Sequence, residues 1–280
     1  MKTIGIIGAG QMGRGIAQVC AAAGCAVILQ DISAEALTKA VALIDTGLGK
    51  LVAKGKLDDA GKAATLARLR TTTAVADFAA CDMVIEAATE NEALKIKILQ
   101  SVDAVLPPAA LIASNTSSIS ITRLAAATAR SDRFIGMHFM NPVPVMQLVE
   151  VIRGLATSDQ TYNATVQLAE KLGKTVALAQ DYPGFIVNRI LMPMINEAIT
   201  ALMEGVGTAQ AIDAGMKLGT NQPMGPLELA DFIGLDTCLA IMRVLHEGLG
   251  DSKYRPCPLL VKYVDAGWLG RKSGRGFYSY

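Results

Sequence analysis

A glycine-rich turn near the N-terminus has the residue spacing of a dinucleotide-binding site. Residues 8–13, Gly-Ala-Gly-Gln-Met-Gly, follow the apolar run 3–7 and precede a helical pattern. In such a turn the first glycine allows a tight bend, the second lets the backbone approach a pyrophosphate, and the third lets helix and strand pack closely. The helix would also offer its free N–H groups to the phosphates. The predicted cofactor-binding residues are Gly8, Gly10, Gln11, Met12, Gly13 and Asp31.

Asp31 indicates which dinucleotide is bound. It ends a second apolar run, 26–30, at about the 20-residue spacing of the acid that binds the ribose. A carboxylate there accepts hydrogen bonds from the ribose hydroxyls and repels the 2′-phosphate of NADP. The following residues, Ile32-Ser33-Ala34, bring no cation to hold that phosphate. A glycine-rich turn without a ligand can share this motif, but the order of strand, turn, helix, strand and acid is complete here. We therefore predict NAD.

One of the two histidines stands where a bound substrate would react. His138 lies in the apolar strand pattern 134–139, and ligands of an open α/β sheet lie outside the carboxyl ends of the strands. Glu150 is the one carboxylate in the apolar run 147–152, and a buried carboxylate needs a partner. It could fix the imidazole tautomer and stabilise the imidazolium. A lone histidine in an apolar strand is more often a core residue, whereas the nearby carboxylate and the upstream turn favour a catalytic pair. We interpret His246 as a solvated helix residue.

Small polar and charged residues follow other predicted strands. The segment Ser114–Ser118 comes after the apolar run 110–113 and could hydrogen-bond a substrate oxygen or the nicotinamide, although a helix cap explains it equally well. The segment 86–91 ends another predicted strand and could line the same cleft, with Lys95 one helical turn further on. Glu90 and Lys95 could equally be an ordinary helix-start acid and surface base. Both interpretations stay open for each group.

Two more polar groups have a structural and a functional interpretation. Asn188 is an amide in an otherwise apolar helix pattern, where it could join two domains or belong to the site, because buried amides normally have partners. Lys50 and Lys54 belong to a short basic run near the end of a long helical pattern. Such a run is usually a solvated face, but it could bind the phosphates of a large anionic substrate.

Strand and helix patterns alternate through the first part of the chain. Alternation of this kind predicts a mostly parallel sheet with right-handed crossovers, that is, an α/β domain of Rossmann type. The predicted strands cover 3–7, 26–30, 82–87, 110–113, 134–137 and 147–152, and the predicted helices 11–23, 34–54, 57–69 and 91–105.

The pattern changes near Asp181-Tyr-Pro-Gly184, after which strand signals are nearly absent. We predict a dinucleotide-binding domain over 1–183 and an all-α domain over 184–280. The stretch 185–203 is apolar on more than one face, which predicts a helix buried between partners, including a second subunit. The predicted helices are 185–204, 208–218, 225–247 and 258–266.

Composition excludes several classes. Lys and Arg total 26 against 25 Asp and Glu, a net charge of +1 at pH 7, which argues against a nucleic-acid binder. The uncharged stretches 15–30 and 104–122 are too short, or too rich in Gly, Pro and polar residues, to cross a membrane. The N-terminus lacks a signal-peptide pattern. The five cysteines form no CxxC pair, so we expect reduced thiols in a cytoplasmic protein. No metal site is predicted.

With these residues assembled, the chain resembles the 3-hydroxyacyl-CoA dehydrogenase family from about residue 3 to the C-terminus. Agreement over many separated blocks is more specific than a glycine motif alone. The blocks are IGIIGAGQMGRGIA, VIEAATEN, ASNTSSISIT, IGMHFMNPVPVMQLVEVI, YPGFIVNRILMPMINEA, PMGPLELADFIGLD and GWLGRKSGRGFY.

The resemblance implies an NAD-dependent oxidoreductase that interconverts (S)-3-hydroxyacyl-CoA and 3-oxoacyl-CoA, with short acyl chains such as 3-hydroxybutyryl. It implies His138 as catalytic acid and base with Glu150 as its orienting partner, and a homodimer formed through the C-terminal domain. Ser117 and Asn188 would complete the polar site around the substrate oxygens. Glu90, Lys95, Ser117 and Asn141 would lie along the nicotinamide half of NAD, and the region of Lys50 and Lys54 would bind the nucleotide of coenzyme A.

Two other classes share parts of this pattern. β-Hydroxyacid dehydrogenases have a similar glycine motif but use a catalytic lysine, whereas the second domain here begins its first helix with Asn188-Arg189. A non-catalytic protein of the same fold is disfavoured by the full set of His138, Glu150, Ser117 and Asn188. Acyl-chain preference and direction stay open, since fatty-acid or aromatic-acid breakdown and reduction towards butyryl-CoA fit equally.

Overall fold

The structure is a computed structural model that describes all residues from Met1 to Tyr280. Its chain divides into two compact units, Met1–Tyr182 and Pro183–Tyr280. Each unit has its own hydrophobic core. None of the helices combines the length and the apolar composition that a membrane crossing requires.

The first unit is built on one eight-stranded sheet. The strand order is β3-β2-β1-β4-β5-β6-β7-β8, and every neighbouring pair is parallel except β6 and β7. The order reverses at β1, so the carboxyl ends of β1 and β4 flank the point where ligands bind in such sheets. The strands are β1 Thr3–Ile7, β2 Ala26–Gln30, β3 Leu69–Thr72, β4 Met83–Glu86, β5 Leu111–Ser114, β6 Phe134–Phe139, β7 Leu148–Arg153 and β8 Thr175–Gln180.

Six α-helices cover this sheet, and local residues explain where they begin. Ser33 and Asn91 accept hydrogen bonds from backbone N–H groups three residues on, which satisfies donors that a helix start leaves unpaired. The apolar strands β1, β4, β5 and β6 are almost fully buried. The helices are α1 Gln11–Ala22, α2 Ala34–Ala53, α3 Asp59–Ala67, α4 Glu92–Asp103, α5 Ile121–Ala126 and α6 Asp159–Lys171.

The second unit contains helices, short turns and two isolated β-bridges near the C-terminus. Pro226 and Pro258 start two of its helices, where the missing N–H of proline costs nothing. The predicted fold class, a Rossmann-type mostly parallel sheet followed by an all-α unit, is confirmed. The helices are α7 Val187–Met203, α8 Ala209–Gly219, α9 Pro226–Ile233, α10 Leu235–Leu249 and α11 Pro258–Asp265.

Two predicted helices were wrong in extent. The predicted helix 57–69 ends early, because Leu69 already belongs to the edge strand β3. The predicted helix 225–247 is two helices, since Gly234 has φ 102°, a value that ends α9 and turns the chain into α10. The sequence patterns also gave no prediction for α5, α6 and β8.

Candidate active site

The glycine-rich turn leaves room for a phosphate beside the start of α1. Gly8 has φ 95°, and a Cβ there would lie 2.7 Å from the carbonyl oxygen of Ala87. A Cβ on Gly13 would lie 1.8 Å from the carbonyl oxygen of Gly8, so helix and turn can touch only without a side chain. A Cβ on Gly10 would meet nothing within 4 Å, and no side chain caps this end of α1. The turn is therefore an open cradle of N–H groups that suits an anion.

Asp31 is held beside this cradle by the backbone. One of its carboxylate oxygens accepts from the N–H of Ala9 at 2.8 Å, and the other accepts from the N–H of Ser33 at 3.0 Å. Asp31 follows β2 directly, and Gln30 at the end of β2 accepts from the N–H of Gly8 at 2.8 Å. The acid predicted to bind ribose is thus fixed to the predicted phosphate turn, as a dinucleotide site of this kind needs.

His138 and Glu150 are in contact. They are register partners in the antiparallel pair β6 and β7, which places both side chains on the same face of the sheet. His138 Nδ1 lies 2.8 Å from Glu150 Oε2, and Glu150 is fully buried while His138 is 8% exposed. The predicted pairing is present, and its part in catalysis stays a prediction at this point.

Glu90 holds the Ser117 segment that follows β5. One of its carboxylate oxygens accepts from the N–H of Ser117 at 2.6 Å and from its hydroxyl at 2.8 Å. The other oxygen accepts from the hydroxyl of Thr116 at 2.9 Å. Two predicted site residues, Glu90 and Ser117, are therefore in direct contact, and the Ser117 hydroxyl acts as a hydrogen-bond donor to the Glu90 carboxylate.

Behind Glu90 lies a buried ion pair. Lys95 is 1% exposed, and its ammonium group contacts a carboxylate oxygen of the fully buried Glu86, with Glu90 3.8 Å away. Glu86 also accepts from the Ser114 hydroxyl and from the N–H of Ala88, both at 2.8 Å. Lys95 is thus placed among carboxylates beneath the surface.

Asn141 joins the glycine turn to the loop after β6. Its side-chain oxygen accepts from the Gln11 amide at 2.8 Å. Gln11 is the first residue of α1, so this contact links the predicted nicotinamide-side residue to the predicted phosphate turn. Asn115 supports the same loop, because its side chain accepts from the N–H of Phe139 at 2.9 Å.

The remaining predicted residues belong to three helices, α1, α2 and α7, or directly follow one. Met12 follows Gln11 in the first turn of α1 and is half-buried. Lys50 and Lys54 are exposed at the end of α2, and neither forms an ion pair. Asn188 belongs to the second unit, where it is buried in the first turn of α7.

Sequence reasoning assigned no role to two residues of the site region. Glu86 ends an apolar strand, so the rule that a carboxylate in an apolar run needs a partner, which singled out Glu150, would have found it too. Lys174 is 9% exposed and donates to two backbone carbonyls. No sequence pattern marks it, because carbonyl partners exist at every position.

The carboxyl edge of the sheet thus carries a phosphate cradle, an acid suited to ribose, a histidine paired with a carboxylate, and a serine hydroxyl oriented by another carboxylate. Together they can hold a dinucleotide and exchange a proton beside it. No group of three or more His, Cys, Asp or Glu side chains is arranged to hold a metal ion.

The chain is similar to known proteins over its whole length. Residues 3–182 match the family model "3-hydroxyacyl-CoA dehydrogenase, NAD binding domain", and residues 184–280 match "3-hydroxyacyl-CoA dehydrogenase, C-terminal domain". A 3-hydroxybutyryl-CoA dehydrogenase of Bradyrhizobium diazoefficiens is 62% identical over 280 residues, which cover 100% of this chain and 96% of that protein. A probable 3-hydroxybutyryl-CoA dehydrogenase of Bacillus subtilis is 55% identical, with 100% and 98% covered.

The chain is also similar to a solved structure. The crystal structure of (S)-3-hydroxybutyryl-CoA dehydrogenase from Ralstonia eutropha matches with a TM-score of 0.98 at 56% identity. The match covers 100% of this chain and 99% of that chain.

Proposed function

The chain belongs to the 3-hydroxyacyl-CoA dehydrogenase family, and from this premise we propose that it interconverts (S)-3-hydroxybutyryl-CoA and acetoacetyl-CoA with His138 as general acid and base. Its cofactor is NAD, and it is an enzyme of the 3-hydroxybutyryl-CoA dehydrogenase type. The stereochemistry, the short acyl chain and the role of each side chain are the proposal. The observation that carries it is the 2.8 Å contact between His138 and Glu150 at the sheet edge that also bears the glycine turn.

The contact with Glu150 decides which nitrogen of His138 does the chemistry. Nδ1 is engaged by the carboxylate, so Nε2 is the nitrogen that accepts the proton of the 3-hydroxyl in oxidation and returns it in reduction. Glu150 fixes this tautomer and stabilises the imidazolium while the proton is on the ring. Because Glu150 is fully buried, its charge is little screened by water.

The fit of NAD rests on the cradle at Gly10 and on the carboxylate of Asp31. The N–H groups at the start of α1 would hold the pyrophosphate, and Asp31 would accept from the ribose hydroxyls. Bound NAD supplies the hydride acceptor, and NADH the hydride donor, for the carbon that bears the 3-oxygen. Glu90 and Asn141 would lie along the nicotinamide half, as predicted from the resemblance.

Ser117 and Asn188 complete the proposal around the substrate oxygens. Since the Ser117 hydroxyl donates to Glu90, it presents its lone pairs as an acceptor, which suits the proton-bearing 3-hydroxyl of the substrate. Asn188 would donate to a carbonyl oxygen of the substrate.

Lys50 and Lys54 would bind phosphates of coenzyme A. We also propose a homodimer through the second unit and a cytoplasmic location.

The test follows NADH absorbance with four substrates. We expect oxidation of NADH by acetoacetyl-CoA and reduction of NAD by (S)-3-hydroxybutyryl-CoA, with far lower rates for the (R)-isomer and for long-chain (S)-3-hydroxyacyl-CoA. Replacing NADH by NADPH is the matched control and should lower the rate strongly. A preference for the (R)-isomer would overturn the stereochemical proposal, and a preference for long chains would overturn the assignment of acetoacetyl-CoA.

A further inference from the structure

Lys174 is a buried cation that the proposed reaction does not use. It lies between Gly173 and the first residue of β8, and it is 9% exposed. Its ammonium group donates to the carbonyl oxygen of Val143 at 2.6 Å and to that of Met146 at 2.7 Å. It forms no ion pair with a carboxylate.

Burying an ammonium group without a counter-ion is unfavourable. Burial lowers the pKa of Lys174 below its ordinary value. A methionine of similar length would fill the same space without desolvating a charge, and such replacements of buried ions are often stabilising. The lysine therefore does not serve packing well, and its two hydrogen bonds are what distinguishes it from an apolar side chain.

Both acceptors belong to one exposed segment, Asn141–Gln147. This segment joins β6, which carries His138, to β7, which carries Glu150. Apart from the buried Val143, all its residues are exposed, and inside it the N–H groups of Val145 and Met146 both donate to Pro142. With so few internal contacts, the two bonds from Lys174 supply much of what fixes its shape.

The same segment reaches the glycine-rich turn. Val143 packs so close to Gly15 of α1 that a Cβ on Gly15 would lie 2.9 Å from it. Asn141, at the start of the segment, accepts from the Gln11 amide. Any change in the path of the segment would therefore move Asn141 relative to the start of α1.

We propose that Lys174 is a positioning residue, which clamps the segment Asn141–Gln147 so that Asn141 is held in place for the nicotinamide half of NAD. The inference rests on the proposed function, because it assigns Asn141 to the cofactor. Lys174 itself touches neither cofactor nor substrate. Its two hydrogen bonds act through the backbone, three residues apart, on the loop between the two strands of the proposed catalytic pair.

The first test measures NADH binding by fluorescence, without acyl-CoA, in Lys174→Met and Lys174→Gln. Methionine keeps the apolar stem but no donor, so we expect the Kd for NADH to rise about tenfold, since small misplacements of positioned groups have effects of this order or larger. Glutamine retains an N–H donor, and we expect a partial rescue, about threefold above wild type. The KM for acetoacetyl-CoA should change less than about twofold.

Lys171→Met is the matched control. Lys171 is three residues away, and its ammonium group lies 3.4 Å from the Cys25 thiol rather than on the segment. Its NADH affinity should equal that of wild type. If Lys174→Met binds NADH as tightly as Lys171→Met does, the clamp is overturned.

A double-mutant cycle separates positioning from general destabilisation. If Lys174 acts through Asn141, then in an Asn141→Ala background Lys174→Met should change the Kd for NADH less than about twofold. An effect of about tenfold in both backgrounds would mean that Lys174 acts by another route and would overturn the proposal.

Hydrogen exchange covers the case in which Lys174→Met does not fold. In Lys174→Gln the N–H groups of Val145 and Met146 should exchange faster than in wild type, while those of β1 stay unchanged; equal exchange in the segment would count against the clamp. These readouts need no turnover. A wild type that binds NADH but does not reduce acetoacetyl-CoA would overturn the proposed substrate. The comparison of NADH affinity between the Lys174 variants and wild type would still be valid.

Discussion

Buried carboxylates in the two units have different kinds of partner. In the first unit Glu150 contacts the His138 ring and Glu86 contacts the Lys95 ammonium group. In the second unit Asp231 accepts from the N–H groups of Phe277 and Tyr278, both at 3.0 Å, and from the Tyr280 hydroxyl at 3.2 Å. The three carboxylates and Lys95 are almost completely buried, and His138 is 8% exposed.

The partner indicates what a buried carboxylate does. A histidine or lysine side chain can gain, lose or share a proton, so a carboxylate beside it can set charge during a reaction. A backbone N–H cannot titrate, so a carboxylate bound to it fixes the path of the chain. Asp231 fits the second description, because the C-terminal residues lie directly on it: a Cβ on Gly276 would be 1.9 Å from its carboxylate.

Asp213 repeats the structural pattern. Its two oxygens accept from the N–H groups of Leu227 and Glu228 at the start of α9, and one also accepts from the Tyr278 hydroxyl at 2.7 Å. Burial and this hydrogen bond both raise the pKa of Tyr278, so the hydroxyl stays a donor at neutral pH. The pair Asp213 and Asp231 therefore ties α8, α9 and the C-terminal segment together.

The largest effect should come from the proton-transfer pair. We expect His138→Ala to lower kcat by about 10²–10⁴-fold, the usual contribution of a positioned acid–base group. NADH affinity should stay near wild type, whereas the melting temperature should fall, because the buried Glu150 loses its contact with His138. Steady-state kinetics with acetoacetyl-CoA and a fluorescence titration with NADH measure the two separately. Turnover within tenfold of wild type would remove His138 from the mechanism.

Replacing a buried carboxylate of the second unit should lower stability and leave catalysis unchanged. Asp231→Asn leaves one backbone N–H without an acceptor, which costs about 1–3 kcal/mol in the free energy of unfolding. The exposed Asp265→Asn is the matched control and should stay within about 0.5 kcal/mol of wild type. Urea unfolding gives both values, and kcat per folded molecule should not change. A large loss of kcat in folded Asp231→Asn would break the distinction between the units.

The pH dependence of the Asp231→Asn effect has a defined sign. Burial, helped by the nearby Asp213 carboxylate, raises the pKa of Asp231 above its ordinary value, against the N–H groups of Phe277 and Tyr278 and the Tyr280 hydroxyl, which lower it. A carboxyl whose pKa is raised in the folded state contributes stability below its unfolded pKa and loses it as pH rises through the folded pKa. The difference in unfolding free energy between wild type and Asp231→Asn should therefore shrink as pH rises upward from the ordinary aspartate pKa of 3.8. A difference that widens over this range would contradict a raised pKa for Asp231.

Asp31 sharpens the comparison, because it lies in the first unit but has backbone partners. It is only half-buried, so its carboxylate can still meet the ribose hydroxyls while Ala9 and Ser33 hold it. Asp31→Ala should weaken NAD binding about tenfold, the value of one good hydrogen-bonding contact, and should relax discrimination against NADP. Parallel KM measurements with both cofactors test this. Unchanged preference for NAD would make Asp31 a purely structural carboxylate.

The fold could be predicted where buried strands show as unbroken apolar runs. β1 and β2 have the predicted bounds, because Thr3–Ile7 and Ala26–Gln30 are flanked by polar or glycine-rich segments. The edge strand β3, Leu-Arg-Thr-Thr, is polar, so nothing separated it from the preceding helix. β8 has one buried residue, Ala179, among half-buried and exposed ones, and it was missed for a similar reason.

The site could be predicted where an unusual residue type stands in an apolar run. His138 and Glu150 were found in this way, and Glu86 follows from the same rule. The contacts of Glu90 with the Ser117 segment depend on how two strand ends meet, which sequence spacing does not specify. Lys174 could not be found at all, because its partners are main-chain carbonyls.

The smallest effect should come from Asp82, a surface carboxylate of the first unit with backbone partners only. One of its oxygens accepts from the N–H groups of Lys2 at 2.5 Å and Thr3 at 3.0 Å. Partial burial raises its pKa, but these two bonds, together with the positive charges of the N-terminus and Lys2, outweigh that, and the net pKa is below its ordinary value. Because the group is exposed, Asp82→Asn should cost less than about 1 kcal/mol at neutral pH and leave kcat unchanged.

A carboxyl with a lowered pKa contributes stability above its unfolded pKa and loses it as pH falls through the folded pKa. The effect of Asp82→Asn should therefore disappear as pH falls below 3.8, whereas that of Asp231→Asn grows as pH falls towards 3.8 and is at its full size there. Urea unfolding of both variants over one pH series measures this opposition. If the effects of the two substitutions on the free energy of unfolding changed with pH in the same direction, burial would not be the cause of the opposite pKa shifts of Asp82 and Asp231.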